Sequence, residues 1–332
     1  MALSTRDKEK PFILMGAVIA GLAIQHAIGE AVPALIHVTE IGVFLVILAV
    51  MLPIELTDVG QAARRVKPTA LAVFINFVFI PLFSWAAGWL ILRQYPDFWV
   101  GAILYTLTPC IGWYLIFTDI AKGNVAWGIA LLPWNVALQV LLLPVYLYVL
   151  VGKIIPVDFL ALARSVGLYL IAPFVLSFLI RRVIVAVRGR DYLLGSFKRV
   201  LGEVKLWALV LVIVSMFVSQ QPLSFSELAS VSLLILFLIG FFLALFLVAV
   251  VAGRLFGLSY EDNATLAFTT TARNSEAVIG VAVSAFPGHP LVYLAIVLGP
   301  IVELPMLLLI ARTMLALKDW IGASATMGRD EA

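Results

Sequence analysis

The chain has a single cysteine, Cys110, which excludes an intrachain disulfide and any CxxC metal site. Its three histidines, His26, His37 and His289, are scattered and predict ordinary loop or helix-end roles. No GxxxxGK[ST] pattern occurs, so there is no phosphate loop for ATP hydrolysis. Neither HExxH nor a plausible nucleophile–base pair is visible, which argues against an intramembrane enzyme. The first ten residues are charged and the apolar run after them is long, so a cleaved signal peptide is not expected. No signalling domain is expected after Lys318, which argues against a sensor. No metal or cofactor is expected beyond a proton or sodium as coupling ion.

What remains is apolar. Hydrophobic residues make up 63% of the 332, against roughly 45–50% in soluble domains. Crossing the hydrocarbon core takes about 20 apolar residues per helix, and such stretches repeat from near Pro11 to near Lys318. The pattern predicts one all-α polytopic membrane protein of ten transmembrane helices over 12–29, 39–57, 69–92, 98–120, 125–151, 160–180, 201–218, 229–256, 263–286 and 290–317. Residues 1–11 and 318–332 are the tails. Turn signals mark the connections: Arg64–Pro68, Tyr95–Asp97, Lys122–Asn124, Pro156 with Asp158, Gln221–Pro222 and Pro287–Pro290. Ser259 and Asp262 form a capping box that predicts a helix start near Tyr260.

The net charge is only +3. With a cytoplasmic N-tail, Arg6, Lys8, Lys10, Arg64, Arg65, Lys67, Lys122, Arg254, Lys318 and Arg329 lie inside. A basic loop from Arg181 to Arg199 joins them. The other side holds only Arg93, Lys153 and Arg164. This asymmetry is the positive-inside rule. It predicts two cytoplasmic termini in the plasma (inner) membrane, with the lipid bilayer as partner and no nucleic acid; the oligomeric state stays open. The basic loop divides the ten helices into halves, 12–151 and 160–317, whose five-helix units must enter the membrane from opposite sides. Inverted repeats of this kind are common in secondary transporters.

Two spans are interrupted, the fourth at Thr106–Cys110 and the ninth at Thr269–Glu276. These are equivalent positions in the two halves, and paired interruptions point to the binding site of a small solute. Helices 4 and 9 are therefore expected to be discontinuous and to cross. In the fourth, Pro109 removes a backbone donor and leaves Thr106, Thr108 and Cys110 facing inward; the plainer reading is a proline kink beside an apolar thiol. In the ninth, Arg273, Asn274 and Glu276 stand inside an apolar span, where a charge costs roughly 2.5–3.5 kcal/mol. They read as an anion or proton site, or as an Arg273–carboxylate pair that locks two helices. Glu303 lies between Pro300 and Pro305 in the tenth span. Burial penalises its ionised form, so it can bind and release a proton, unless Arg273 or backbone donors simply neutralise it. Asn135 and Gln139 share one face of the fifth helix, available to solute or to helix packing. Arg312 is expected to snorkel to the cytoplasmic surface.

Three stretches resemble the arsenite efflux permeases of the arsenical-resistance type, within the bile acid/arsenite transporter superfamily. They are Pro109-Cys110 with Asp119–Gly123, Asn135–Gln139, and Gly299-Pro300-Ile301-Val302-Glu303-Leu304-Pro305. The last is similar to the family's Gly-Pro-x-x-Glu-x-Pro signature. The resemblance spans roughly residues 12 to 317. It implies a panel and a core domain, arsenite export in exchange for protons, and functional roles for Cys110 and Glu303. Substrate contacts are expected at Thr106, Thr108, Cys110, Asn135, Arg273 and Asn274, and ion coupling at Glu276 and Glu303. One stretch departs: the family has a polar Asn-Asn-Phe-Glu run where this chain has Arg273-Asn274-Ser275-Glu276, in which Asn274 and Glu276 keep the register and Arg273 is foreign. Sodium-coupled organic-anion symporters of the same superfamily coordinate sodium at this crossing. A sodium symporter whose organic-anion substrate pairs with Arg273 is therefore the alternative.

Overall fold

The computed structural model describes residues 5–28, 32, 34–52, 65–111, 113–155, 159–218 and 230–321. The described chain is helical, and among its residues the one extended pairing is an antiparallel bridge between Pro109 and Arg273. In order come α1 (Thr5–Ile28), α2 (Leu35–Met51), α3 (Val66–Leu92), α4 (Pro96–Thr106), α5 (Trp113–Ile120) and α6 (Val125–Val151). These are followed by α7 (159–188), α8 (190–218), α9 (Val231–Leu255), α10 (Tyr260–Thr271), α11 (Ser275–Ala285) and α12 (Pro290–Ala316).

Among the described residues, six helices are both long and apolar enough to cross a bilayer: α3, α6, α9 and α12 whole, and Ala163–Arg188 and Val200–Val218 within α7 and α8. At 27 residues, α3, α6 and α12 are each about 40 Å long. The chain is thus a polytopic membrane protein. The rest fall short for readable reasons: the apolar part of α1 starts only at Phe12, and the two interrupted spans are each split into shorter helices. Apolar side chains such as Leu82, Leu90, Leu179, Val183 and Leu247 are exposed on the outer faces, where lipid tails cover them as water could not.

Two clusters of helices share the structure. α1, α2, α7 and α8 pack on one another, as do α3, α4, α5, α6, α9, α10 and α12. α11 lies between them, touching α2, α7, α4 and α12. A small, mostly apolar cleft, with room for about one water molecule, lies at this boundary, lined by Leu14, Leu209, Ile213, Ser275, Ile279, Val297 and Pro300.

Helix α1 begins at Thr5, inside the segment expected as a tail. The helix of the second span is described to Met51, and 53–57 lie outside the described residues. One expectation needs correcting. The basic loop is not a loop: helix continues through Arg188 and resumes at Arg190. Val183, Ile184, Val185 and Val187 keep the segment apolar between its arginines, and the one reversal falls at Gly189, whose φ of 83° is a conformation glycine adopts without steric cost. Arg64, Pro156 with Asp158, Gln221–Pro222 and most of the C-terminal tail lie outside the described residues.

A close helix contact carries the site. α4 lies against α12 with glycine on both sides: a Cβ on Gly101 would stand 2.5 Å from the carbonyl oxygen of Val292, and one on Gly299 2.3 Å from the ring of Tyr105. Small residues are how helices approach closely where lipid offers no hydrophobic drive. Gly101→Ala is expected to lower the melting temperature, at a cost of about 1–3 kcal/mol. Gly240→Ala, on an exposed face with nothing within 4 Å of the new carbon, is expected to be neutral or stabilising. Thermal denaturation of the two purified variants checks the contrast.

Candidate functional site

Both interrupted spans break for local reasons. α4 ends at Thr106, three residues before Pro109, whose ring disfavours helical backbone at Thr108. α10 ends in a run of three threonines, β-branched and stiff, after which Ala272 is extended at φ −71°, ψ 138°. Helix resumes at Ser275 because Asn274 caps it, its side chain accepting from the Ala277 amide at 3.2 Å. Non-helical backbone at membrane depth must find its partners within protein. Each break supplies the other's: the Cys110 amide donates to the Ala272 carbonyl (3.0 Å) and the Asn274 amide to the Thr108 carbonyl (2.8 Å).

Arg273 sits at the centre of this pairing and is buried. Its guanidinium donates to the carbonyls of Thr106 (2.9 Å) and Thr271 (3.3 Å), to Thr270, and to Asn76 Oδ1 (3.1 Å). Thr106 is the last residue of α4, and Thr270 and Thr271 end α10, so the cation lies where two helix dipoles present their negative ends. The ring of Phe241 lies 5.8 Å from it. Its backbone amide, not its side chain, reaches the buried carboxylate, donating to Glu303 Oε1 at 2.9 Å. Tyr105 donates its hydroxyl to Glu303 Oε2 at 2.6 Å. Of the two readings of Arg273 as an ion-pair lock or a solute group, this geometry matches neither directly: the charge is spent on main-chain oxygens of both breaks.

The other expected residues divide. Thr106 and Thr108 are buried, and their hydroxyls turn to backbone: Thr106 to Ala102 and Ile103, Thr108 to Tyr105 and across to Asn274. Cys110 is buried beside Ala272. Asn135 lies deeper in the core cluster and donates to Thr269 Oγ1 at 3.2 Å, tying α6 to α10. Asn274 uses its oxygen as a cap, and among the described residues its buried amide nitrogen meets no acceptor; the same holds for Gln139. Glu276 pairs with Lys205 of α8 at 2.9 Å, joining α11 to α8.

Sequence reasoning missed three participants. Asn76 sits in a π turn of α3 over Ile75–Phe79, a device that re-aims side chains at functional sites; besides accepting from Arg273 it donates to the Thr269 carbonyl at 3.2 Å. A lone amide in an apolar run was its signal. Tyr105 and Lys205 had no comparable signal. At the far ends of the breaks, Asp97 in the first turn of α4 meets His289, the N-cap of α12, at 3.0 Å. Asp262 in the first turn of α10 accepts from Asn124, the N-cap of α6, at 2.7 Å, and from Arg65. Ser259 caps α10 and helix starts at Tyr260 as expected, its hydroxyl accepting from the Asp262 amide.

A sequence model of the Sodium Bile acid symporter family matches residues 40–227, more than half of the chain. An arsenical-resistance protein Acr3 of Corynebacterium glutamicum is 24% identical over 339 residues, covering 96% of this chain and 90% of its own length. A second Acr3, of Alkaliphilus metalliredigens, is 22% identical and covers 91% of each. A shorter likeness joins the chain to the protein named "Probable sodium/metabolite cotransporter BASS3, chloroplastic" of Oryza sativa subsp. japonica, 27% identical over 43% of this chain and 33% of its own.

Removing the Tyr105 hydroxyl leaves the buried carboxyl short of a donor. Tyr105→Phe is therefore expected to cost about 1–3 kcal/mol, and the double variant with Glu303→Gln to be non-additive by about 1 kcal/mol. Melting curves of the two single variants and the double variant check the coupling; strictly additive losses would mean that the bond carries no energy.

Proposed function

The chain belongs to the sodium bile acid symporter family, and on that premise we propose that it exports arsenite, with antimonite, in exchange for protons. The observation that carries this reading is the linkage of one thiol and one carboxyl through a single crossing. The Cys110 amide is bonded to Ala272, and the amide of the next residue, Arg273, is bonded to Glu303. The likeness to two arsenical-resistance proteins over nearly the whole chain supports the same solute.

In this reading Cys110 offers a soft sulfur to arsenic, Thr108 and Thr106 line the approach, and the spare amide nitrogen of Asn274 donates to an oxygen of the oxyacid. Glu303 carries the proton. The small cleft between the helix clusters reaches Ser275 and Pro300, next to Asn274 and three residues before Glu303, and is where a path for solute would open as the clusters move. The Lys205–Glu276 pair spans the same boundary and must part or re-form as the clusters move.

The same proposal includes the topology. Counting α4 with α5 and α10 with α11 as one crossing each gives ten passes in the plasma membrane, in halves 12–151 and 160–317 of opposite orientation, with both termini cytoplasmic. A correspondence between the halves supports it. Asp97 stands as far before Asp262 as Asn124 stands before His289. Each aspartate opens a broken helix and binds the N-cap of the helix that follows the other break.

Organic-anion symport would need Arg273 to face a substrate carboxylate, and its donors are already turned to Thr106, Thr270, Thr271 and Asn76. Cys110→Ser and Glu303→Gln are each expected to abolish arsenite resistance in a sensitive host while the protein still reaches the membrane in wild-type amounts. Unchanged resistance in both would remove the arsenite reading.

A further inference from the structure

Four oxygen atoms converge on the guanidinium of Arg273: the carbonyls of Thr106, Thr270 and Thr271, and Oδ1 of Asn76. Two helix C-termini supply three of them, and a π turn delivers the fourth. Neutral hard oxygens at the negative ends of half-helices are the ligand set that transporters use for a small coupling cation. Here the space is filled from within the chain. Four buried acceptors of this kind would be left unsatisfied without an occupant that donates to them or is coordinated by them.

We propose that Arg273 is a tethered cation standing in the place of a coupling metal ion, so that the protein works without sodium and truncation of Arg273 uncovers a monovalent-cation site. A guanidinium fixed to the backbone cannot be exchanged between the two sides of the membrane. The charge at the crossing therefore cannot cycle with sodium. Glu303, bonded to Tyr105 and to the Arg273 amide, is left as the exchangeable group, since Glu276 is engaged with Lys205. The inference deepens the proton-exchange reading by assigning the residue that sets ion choice, and it takes from that reading only that this crossing is the transport site.

The test uses cations alone. Purified full-length protein is melted in sodium, potassium or guanidinium chloride at millimolar concentration, against choline chloride at equal ionic strength. Wild type is expected to melt at the same temperature in all four. Arg273→Ala is expected to be less stable in choline and to be rescued saturably, by a few degrees, by sodium or by guanidinium, which matches the missing group. A variant indifferent to every cation, or a wild type stabilised by sodium, overturns the proposal. Should Arg273→Ala not fold, Arg273→Lys, which keeps a tethered charge, is expected to remain indifferent to sodium, and a sodium response in it or in wild type overturns the proposal equally. None of these outcomes depends on arsenite, so a failure of the solute assignment is read separately, in the resistance assay.

Discussion

A break in a membrane helix exposes carbonyls and amides that lipid cannot satisfy, and the rest of this structure follows from how two such breaks satisfy each other. The amides of Cys110 and Asn274 reach across to the carbonyls of Ala272 and Thr108. That leaves the last carbonyls of α4 and α10, which a two-residue pairing cannot reach. The guanidinium of Arg273 is long enough and rich enough in donors to cover both helix ends at once. A lysine at the same place would bring the charge but not the fork of donors. The glycines that let α4 and α12 approach then bring Glu303 to the opposite edge of the same pairing.

The result is a crossing in which structure and chemistry use the same atoms. Main-chain groups of Arg273 hold Glu303, and the side chain of Arg273 holds the helix ends. A proton gained or lost at Glu303 is felt by the Tyr105 hydroxyl and by the backbone that carries Arg273 and Asn274. That backbone in turn fixes where Asn274 caps α11, the helix lying between the two clusters. The movement between clusters that the proposed exchange requires would have a short mechanical path to the carboxyl, through α11 and the Lys205–Glu276 pair.

Much of this was legible beforehand. Pro109 and the polar run from Thr269 to Glu276 stand out against apolar neighbours, so the positions of both breaks could be read, as could the special status of Glu303 between two prolines. The partners of Arg273 could not. A sequence shows what a buried charge costs, but its acceptors here are mostly backbone carbonyls, which carry no letter. The hydroxyls of Thr106 and Thr108 looked available to solute for the same reason: their bonds to nearby carbonyls are invisible until the chain is folded. Tyr105 passes for core in any apolar helix. Asn76 could have been found, as the lone amide of its span. The basic residues from Arg181 to Arg199 suggested a loop because charge usually marks one; helix runs through them, broken only at Gly189.

The central claim is that one solute and one proton compete for a crossing whose only fixed cation belongs to the protein. Proton flux driven by arsenite in sodium-free vesicles of purified protein tests it most directly. The account predicts that an arsenite gradient moves protons in the opposite direction at an undiminished rate when choline replaces sodium. Arsenite movement that requires sodium, or that leaves the proton gradient untouched, would contradict it.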